Sequence, residues 1–286
     1  MFKKIPLLLF FGLVISAPLR AQAAPKYDIV VPRDYKTVGE AVERGMPGDR
    51  IGIGEGTYDE KAGIKLKTDM KLIGAGADKT ILKIGSAGIL VNMPNETLYN
   101  IAIKDLGLSF HDRAILVSGV NGFTISGCLL TSGGKLTLLE IGSSVNVKVA
   151  NCTLANSESG ISLRGRSVEI AVRNSIFYNN KTGIRILPEP GSKVPASTGQ
   201  TNKPGADTPL VLAYNDFYNA MDFENCQKGE KDITKDPEFV APREGNFHLN
   251  GNSPCIDAGD PDTKYNDPDG SRNDIGALPY SGKNNK

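Results

Sequence analysis

The chain has 286 residues, a net charge of +1, 32 Gly, 17 Pro, no Trp and only 7% aromatic residues. That length admits one large domain or two small ones. The charge balance excludes the strongly basic surface of a general nucleic-acid binder, and the Gly-rich, aromatic-poor composition suits a turn-rich all-β chain better than a helical one.

In chain order, the first element is a leader. "MFKK" is basic, "IPLLLFFGLVISA" is an apolar run, and "AQA" at 21–23 is a small-residue cleavage site. This pattern predicts a signal peptide over residues 1–23, because the apolar run is short for a membrane span and is followed by A-x-A. Without Lys3, Lys4 and Arg20 the remainder carries 30 basic and 32 acidic residues, a net charge of −2. No later apolar run approaches membrane length, so no span is expected in the mature chain. "TVGEAVERG" at 37–45 predicts a short helix: Thr37 and Glu40 form a capping box, Val38, Ala41 and Val42 make one apolar face, and Gly45 ends it.

From residue 24 to 225 the sequence repeats. Ile89, Ile115, Leu139, Ile161 and Ile184 open similar strands at spacings of 26, 24, 22 and 23 residues, each with a second apolar residue two further on. A second strand recurs half a period later, as "FTISG" at 123–127, "VKVAN" at 147–151, "EIAVRN" at 169–174 and "VLAYN" at 211–215. Short alternating strands at such a period predict stacked coils that bury one continuous apolar column. About seven rungs are expected, roughly 4.8 Å apart. Asn151, Asn174 and Asn215 are expected to form a column in successive bends. The repeat is broken at 188–209 by a loop with five Pro and three Gly. It dissolves after Tyr218, and residues 226–286, rich in Pro, Gly and Asp, read as a closing cap and tail. Covered ends predict a monomer.

Three stretches carry a family resemblance. "SGISLRGRSVEIAVRNSIFYNNKTGIRI" at 159–186 resembles the repeat of right-handed parallel β-helix proteins, the pectin-lyase-like group. Residues 35–82 resemble that group's first rungs. "DPEFVAPREGNFHLNGNSPCIDAGDPD" and "DPDGSRNDIGA" resemble its C-terminal segment in secreted bacterial proteins. The resemblance implies a single-stranded right-handed parallel β-helix. With the leader it predicts a bacterial protein that is secreted, periplasmic or held at the cell surface. It implies no particular activity, because the group spans lyases, hydrolases, esterases, epimerases and proteins without known activity.

Catalytic motifs of the group do not transfer. "DFEN" at 222–225 departs after two residues from the Asp motif of pectin methylesterases, and "HDR" at 111–113 is not the Asp-Pro-His-Asp of mannuronan epimerases.

Candidate site residues follow from strand alternation. With Ile89 and Val91 inward, the outer row reads Lys65, Leu90, Leu116, Glu140, Ser162 and Arg185, with Asp222 extending it. Flanking turns add His111, Asp112, Arg113, Glu158 and Lys181 on one side and Arg164 and Arg166 on the other. A basic wall of this kind suits an acidic polysaccharide, whose uronate carboxylates pair with Arg in bidentate fashion. The substrate-binding candidates are therefore Arg164, Arg166, Arg185, Glu140 and Asp222. Uronate lyase chemistry would need Arg185 or Arg164 to neutralise the carboxylate, and His111, Lys181 or Glu140 as base. A solvated charged face, on a purely structural surface module, is the alternative.

Two further expectations concern cross-links and metal. Asp257, Asp260, Asp262, Asp267, Asp269 and Asp274 fall within 18 residues, a density that suits calcium, or Asx-turns that shape a cap. Cys128 and Cys152 align one rung apart, and Cys226 and Cys255 fall at the last rung and the cap. Disulfides 128–152 and 226–255 are expected, with stacked free thiols as the alternative for the first pair.

Overall fold

The structure, a computed structural model, describes residues 26–85, 87–105, 113–187 and 210–282. The chain winds as a parallel β-solenoid in which each coil gives one strand to each of three sheets. The first sheet has eight strands, from Ile29–Val31 to Leu210–Ala213. The second runs from Gly56–Glu60 to Asp216–Tyr218 and the third from Ile64–Lys65 to Met221–Glu224, with seven strands each. The sequence repeat displayed two strands per coil. The third shrinks to three residues from Leu129–Thr131 and Thr153–Ala155 onward, too short to show an alternation of its own.

Vertical columns hold the stack together. Ile64, Ile89, Ile115, Leu139, Ile161 and Ile184 are successive partners in the third sheet, so residues some two dozen apart in sequence touch in space. Leu82, Ile103, Leu130, Leu154, Phe177 and Phe217 do the same in the second. The last two stack their rings at 4.7 Å and 8°. All these side chains are essentially fully buried and belong to one apolar cluster. Each contact gains on the order of 25 cal/mol per Å² of apolar surface removed from water, and only stacking supplies the partner.

The bend between the first and second sheets is set by a column of left-handed residues: Asn100, Gly127, Asn151, Asn174 and Tyr214, with φ between 49° and 63°. The first four donate their backbone N–H to the coil above, as Asn151 does to Arg173 and Asn174 to Ala213. This corrects the expected asparagine column at its last member. Tyr214 takes the left-handed place, and Asn215 stands one position on, aligned with Ser175. Nor do the amides of Asn151 and Asn174 bond rung to rung. They reach outward, Asn151 to Asn273 and Asn174 to the N–H of Asp260.

Helix α1, Val38–Arg44, closes the first end with Val38, Ala41 and Val42 buried. Thr37 accepts from the N–H of Glu40 as expected, and the buried Glu60 carboxylate accepts from the N–H groups of Val38 and Gly39 at 2.6 and 3.0 Å. That charge satisfies two otherwise unpaired helix donors. Gly45 stops the helix in extended backbone, not a left-handed turn.

The C-terminal segment does two things. Ile233 bridges Asp216, and Asp232 accepts from Asn215 and Gly229, so this stretch continues the last coil. From Phe239 onward the chain lies along the outer face of the second sheet. Phe239, Phe247, Leu249, Cys255, Ile275 and Leu278 pack there with Leu129, Ala155 and Ile176 in a second apolar cluster. Gly276 (φ 116°) makes the closest approach, since a Cβ there would meet Ile176 at 2.8 Å.

The expected disulfides are not formed: Cys128, Cys152, Cys226 and Cys255 are all free thiols. Cys128 and Cys152 do lie on neighbouring coils, yet their sulfurs point to backbone carbonyls, Ser126 for the first and Ala150 for the second. Cys255 donates to the Asp216 carboxylate at 3.3 Å and Cys226 to the carbonyl of Ile184. Burial pushes the Cys128 and Cys226 thiols up to about 12, which keeps them protonated and unreactive at neutral pH.

Candidate functional site

The outer row of the third sheet is Lys65, Leu90, Leu116, Glu140, Ser162 and Arg185, each paired with the next. Six side chains on one rigid face span roughly 24 Å at the inter-strand spacing. The row continues into Glu224, not Asp222, which corrects the expected extension. Asp222 falls beside Gly183, in a column that turns inward at Leu138 and Gly160. Its carboxylate accepts from the backbone and amide of Asn219.

Glu140 is the centre of this face. Its side chain is only 9% exposed, with Arg113 Nη1 at 2.5 Å from one oxygen and Arg164 Nε at 3.2 Å from the other. Both guanidiniums are more open, Arg164 most of all at 51%. Two cations therefore share one carboxylate, which leaves a net positive charge facing outward. Two coils along the row from Glu140, Arg185 donates Nε to Ser162 at 3.3 Å and Nη2 to Thr137 at 3.2 Å. These neutral partners orient the guanidinium without cancelling its charge.

Beside the ion triad lies a cleft of about 540 Å³, lined by Lys65, Leu90, Leu116 and Arg113 with Gly63 and Gly88 among its neighbours. Gly88 is required by the stacking at its edge: its φ is 65°, and a Cβ there would strike the carbonyl of Ala114 on the next coil at 2.6 Å. The face thus has an apolar half edged by Lys65 and Arg113, and a charged half around Glu140 and Arg185.

Other expected residues are more scattered. Lys181 is exposed and paired with Glu158 at 2.8 Å on the turn before its strand. Arg166 is exposed on the turn after Arg164. His111 and Asp112, and the loop 188–209, lie outside the described residues. Arg113 was placed in a flanking turn by the sequence. It instead opens a strand, Arg113–Ser118, and reaches across to Glu140. Its alignment with Thr137 one coil on was the available signal.

Among the described residues no three His, Cys, Asp or Glu side chains are placed to hold a metal ion. Asp260 pairs with Arg173 and Asp262 with Lys264. Asp269 accepts from Ser271. Asp267 accepts from Asn273 and the N–H of Asp274, and Asp274 from the N–H groups of Asp257 and Tyr280. The carboxylates shape turns and fasten the segment to the coils. Burial, then the charge of Asp274, raises Asp267 to about 6.

The protein family described as "Right handed beta helix region" matches residues 72–226. No curated protein matches the sequence. Three solved structures are similar in fold. Two are of pectin methylesterase, a point mutant in complex with hexasaccharide IV and a complex with hexasaccharide VII. Each is 14% identical over 70% of this chain and 81% of that one, with TM-scores of 0.38 and 0.39. The third, pectin methylesterase PemA from Erwinia chrysanthemi, is 13% identical over 74% of this chain and 68% of that one, with a TM-score of 0.35.

Proposed function

The chain belongs to the right-handed β-helix family, and from that premise we propose that it is an exported protein that binds an extended acidic polysaccharide along the outer face of its third sheet. The observation that carries this reading is the trio Arg113, Arg164 and Arg185 on one rigid face, set against the single buried carboxylate of Glu140. A uronate carboxylate meeting Arg164 or Arg185 gains a charge-assisted bidentate contact. The regular rise from coil to coil repeats such contacts along a linear polymer. The adjoining cleft, with Leu90 and Leu116 in its floor, accepts the less polar face of a neighbouring sugar.

Binding is favoured over proton abstraction by the state of Glu140. Each of its oxygens already faces a guanidinium, which withholds it as a base. Lys181, the other described candidate, is tied to Glu158 on the turn.

Titration with hexagalacturonate tests the reading. Arg164→Ala and Arg185→Ala should each weaken binding about ten- to a hundredfold, the range for losing a charged hydrogen bond. The affinity should also fall as salt is raised. Unchanged affinity in the double variant would remove the proposal and leave a structural module. Growth of unsaturated-product absorbance during the titration would replace it with a lyase.

A further inference from the structure

The second sheet carries an aromatic row that ends in solvent. Phe239 and Phe247, from the C-terminal segment, meet the ring of Tyr178 edge-on at 5.2 and 6.5 Å. Tyr178 in turn stacks on Tyr218 of the next coil, at 6.1 Å and 16°. The C-terminal segment shields the earlier members, but Tyr218 remains 47% exposed. Beside it opens a cleft of about 280 Å³ lined by Tyr178, Asn179, Tyr218, Asn219 and Ala220.

The polar groups of this cleft are held in place. Asn179 sits at a positive φ of 51° in the bend and donates its amide nitrogen to Asn156 at 2.7 Å, which turns its amide oxygen away from that contact. Asn219 is fixed from both ends, donating to Asp222 at 3.0 Å and accepting from Asn180 at 2.8 Å. None of the five lining residues is charged, and the nearest cation along the chain, Lys181, is neutralised by Glu158.

A flat aromatic face beside planar amides, with no charged residue in its lining, matches one ligand chemistry well. The apolar C–H face of a pyranose lies on the ring, and its hydroxyls meet the amides and the phenols. We propose that Tyr178, Tyr218 and Asn179 form a subsite for a neutral pyranose unit, distinct from the arginine face. The proposal rests on the polysaccharide reading above and extends it, because a charged face and an uncharged cleft one turn apart imply a glycan holding both acidic and neutral sugars. The short turn at 179–181 joins the cleft to the strand Thr182–Leu187 that carries Arg185.

The test uses the full chain with ring-labelled tyrosine, followed by NMR during titration with cellohexaose, mannohexaose, xylohexaose and galactohexaose, and separately with hexagalacturonate. At least one neutral hexasaccharide should shift two tyrosine signals, one of which is absent in Tyr218→Phe. Tyr218→Phe keeps the stacked ring and should bind within about threefold of the parent, while Tyr218→Ala should lose about tenfold. Asn179→Gly, which tolerates the positive φ, should weaken binding several-fold without lowering the melting temperature. Arg164→Ala should leave these neutral titrations unchanged. Failure of all four neutral sugars to move any tyrosine signal, or an affinity for them that is unchanged in Tyr218→Ala, would overturn the subsite. Loss of hexagalacturonate binding with the neutral shifts intact would overturn only the arginine face.

Discussion

Glu96 shows how much a single side chain can oppose its surroundings. It occupies an inward position in the first sheet, between Met70 on one coil and Phe123 on the next, and is fully buried. One carboxyl oxygen accepts from the N–H of Met93 at 3.1 Å, and the other has no partner, as is also true of the amide oxygen of Asn92 in the same bend. Burial is the main cause that raises its pKa to about 7. An acid raised in this way is stable when protonated. Its contribution is complete below the unfolded value near 4.5 and is lost as pH rises through 7, a loss on the order of 3 kcal/mol. Glu96→Met restores the apolar character of Met70 below it. We expect the variant to melt higher than the parent at pH 8 and about equally at pH 4.5, read by thermal denaturation at both. A parent whose stability does not fall between those values, or a variant with no advantage at pH 8, would mean that the carboxyl finds a partner the structure does not contain.

At the scale of elements, what was legible depended on length and period. The third sheet could be read because its strands have up to six residues and alternate from Leu139 or Ile161 onward, so Ile161 over Ile184 and the row Glu140–Ser162–Arg185 followed from spacing alone. The second sheet escaped notice because four of its seven strands, from Leu129–Thr131 to Asp216–Tyr218, have three residues each, fewer than a period-two pattern needs to declare itself. The same brevity misplaced Asn215: the bend admits Tyr214 at a positive φ, so the column is a matter of backbone shape as well as residue type. Asp222 was misassigned because the strands Thr137–Gly142 and Ser159–Arg164 carry two successive inward residues near their start, Leu138 and Leu139 or Gly160 and Ile161, which breaks alternation where the chain turns the corner. The Arg113–Glu140 pair joins residues 27 apart and depends on the register between coils, which no single strand encodes. The docking of the C-terminal segment on the second sheet was invisible for a related reason, since its contacts are non-local. It hinges on Gly276, whose N–H donates to Asn174 while its φ of 116° and its contact with Ile176 leave no room for a side chain. Gly276→Ala should therefore cost about 1–3 kcal/mol by combining backbone strain with overpacking. Denaturant titration measures it. A change under about 0.5 kcal/mol, the range of ordinary surface substitutions, would show that the segment is not firmly docked.

At the scale of the whole molecule, a solenoid is a one-dimensional array in which each coil leans only on its neighbours, so stability need not be uniform along the axis. The middle coils, from Arg113–Ser118 to Thr182–Leu187, bury long strands on both sides. The last coil is different, because it holds two buried carboxylates close together, Asp216 and Asp232. Asp216 is fully buried and accepts from the N–H of Lys235 and the thiol of Cys255, and burial raises it to about 6. Burial raises Asp232 beside it as well, and Asp267 in the docked segment reaches about 6. All three shifts have the same sign. They stabilise the fold while the groups are protonated, and that advantage fades as pH climbs from near 4 through 6. For Asp216 alone the change is on the order of 3 kcal/mol. Because Asp216 and Asp232 sit together in the last coil, their share of the loss should be local. Hydrogen exchange, corrected for intrinsic rates, should show the amides of Leu210–Ala213 and Asp216–Tyr218 opening about a hundredfold more often at pH 8 than at pH 5. The amides of Val145–Ala150 and Ser159–Arg164 should change far less. Equal loss of protection along the whole axis would mean that the coils melt as one unit, and greater protection of the last coil at pH 8 would mean that its carboxylates are stabilised as anions.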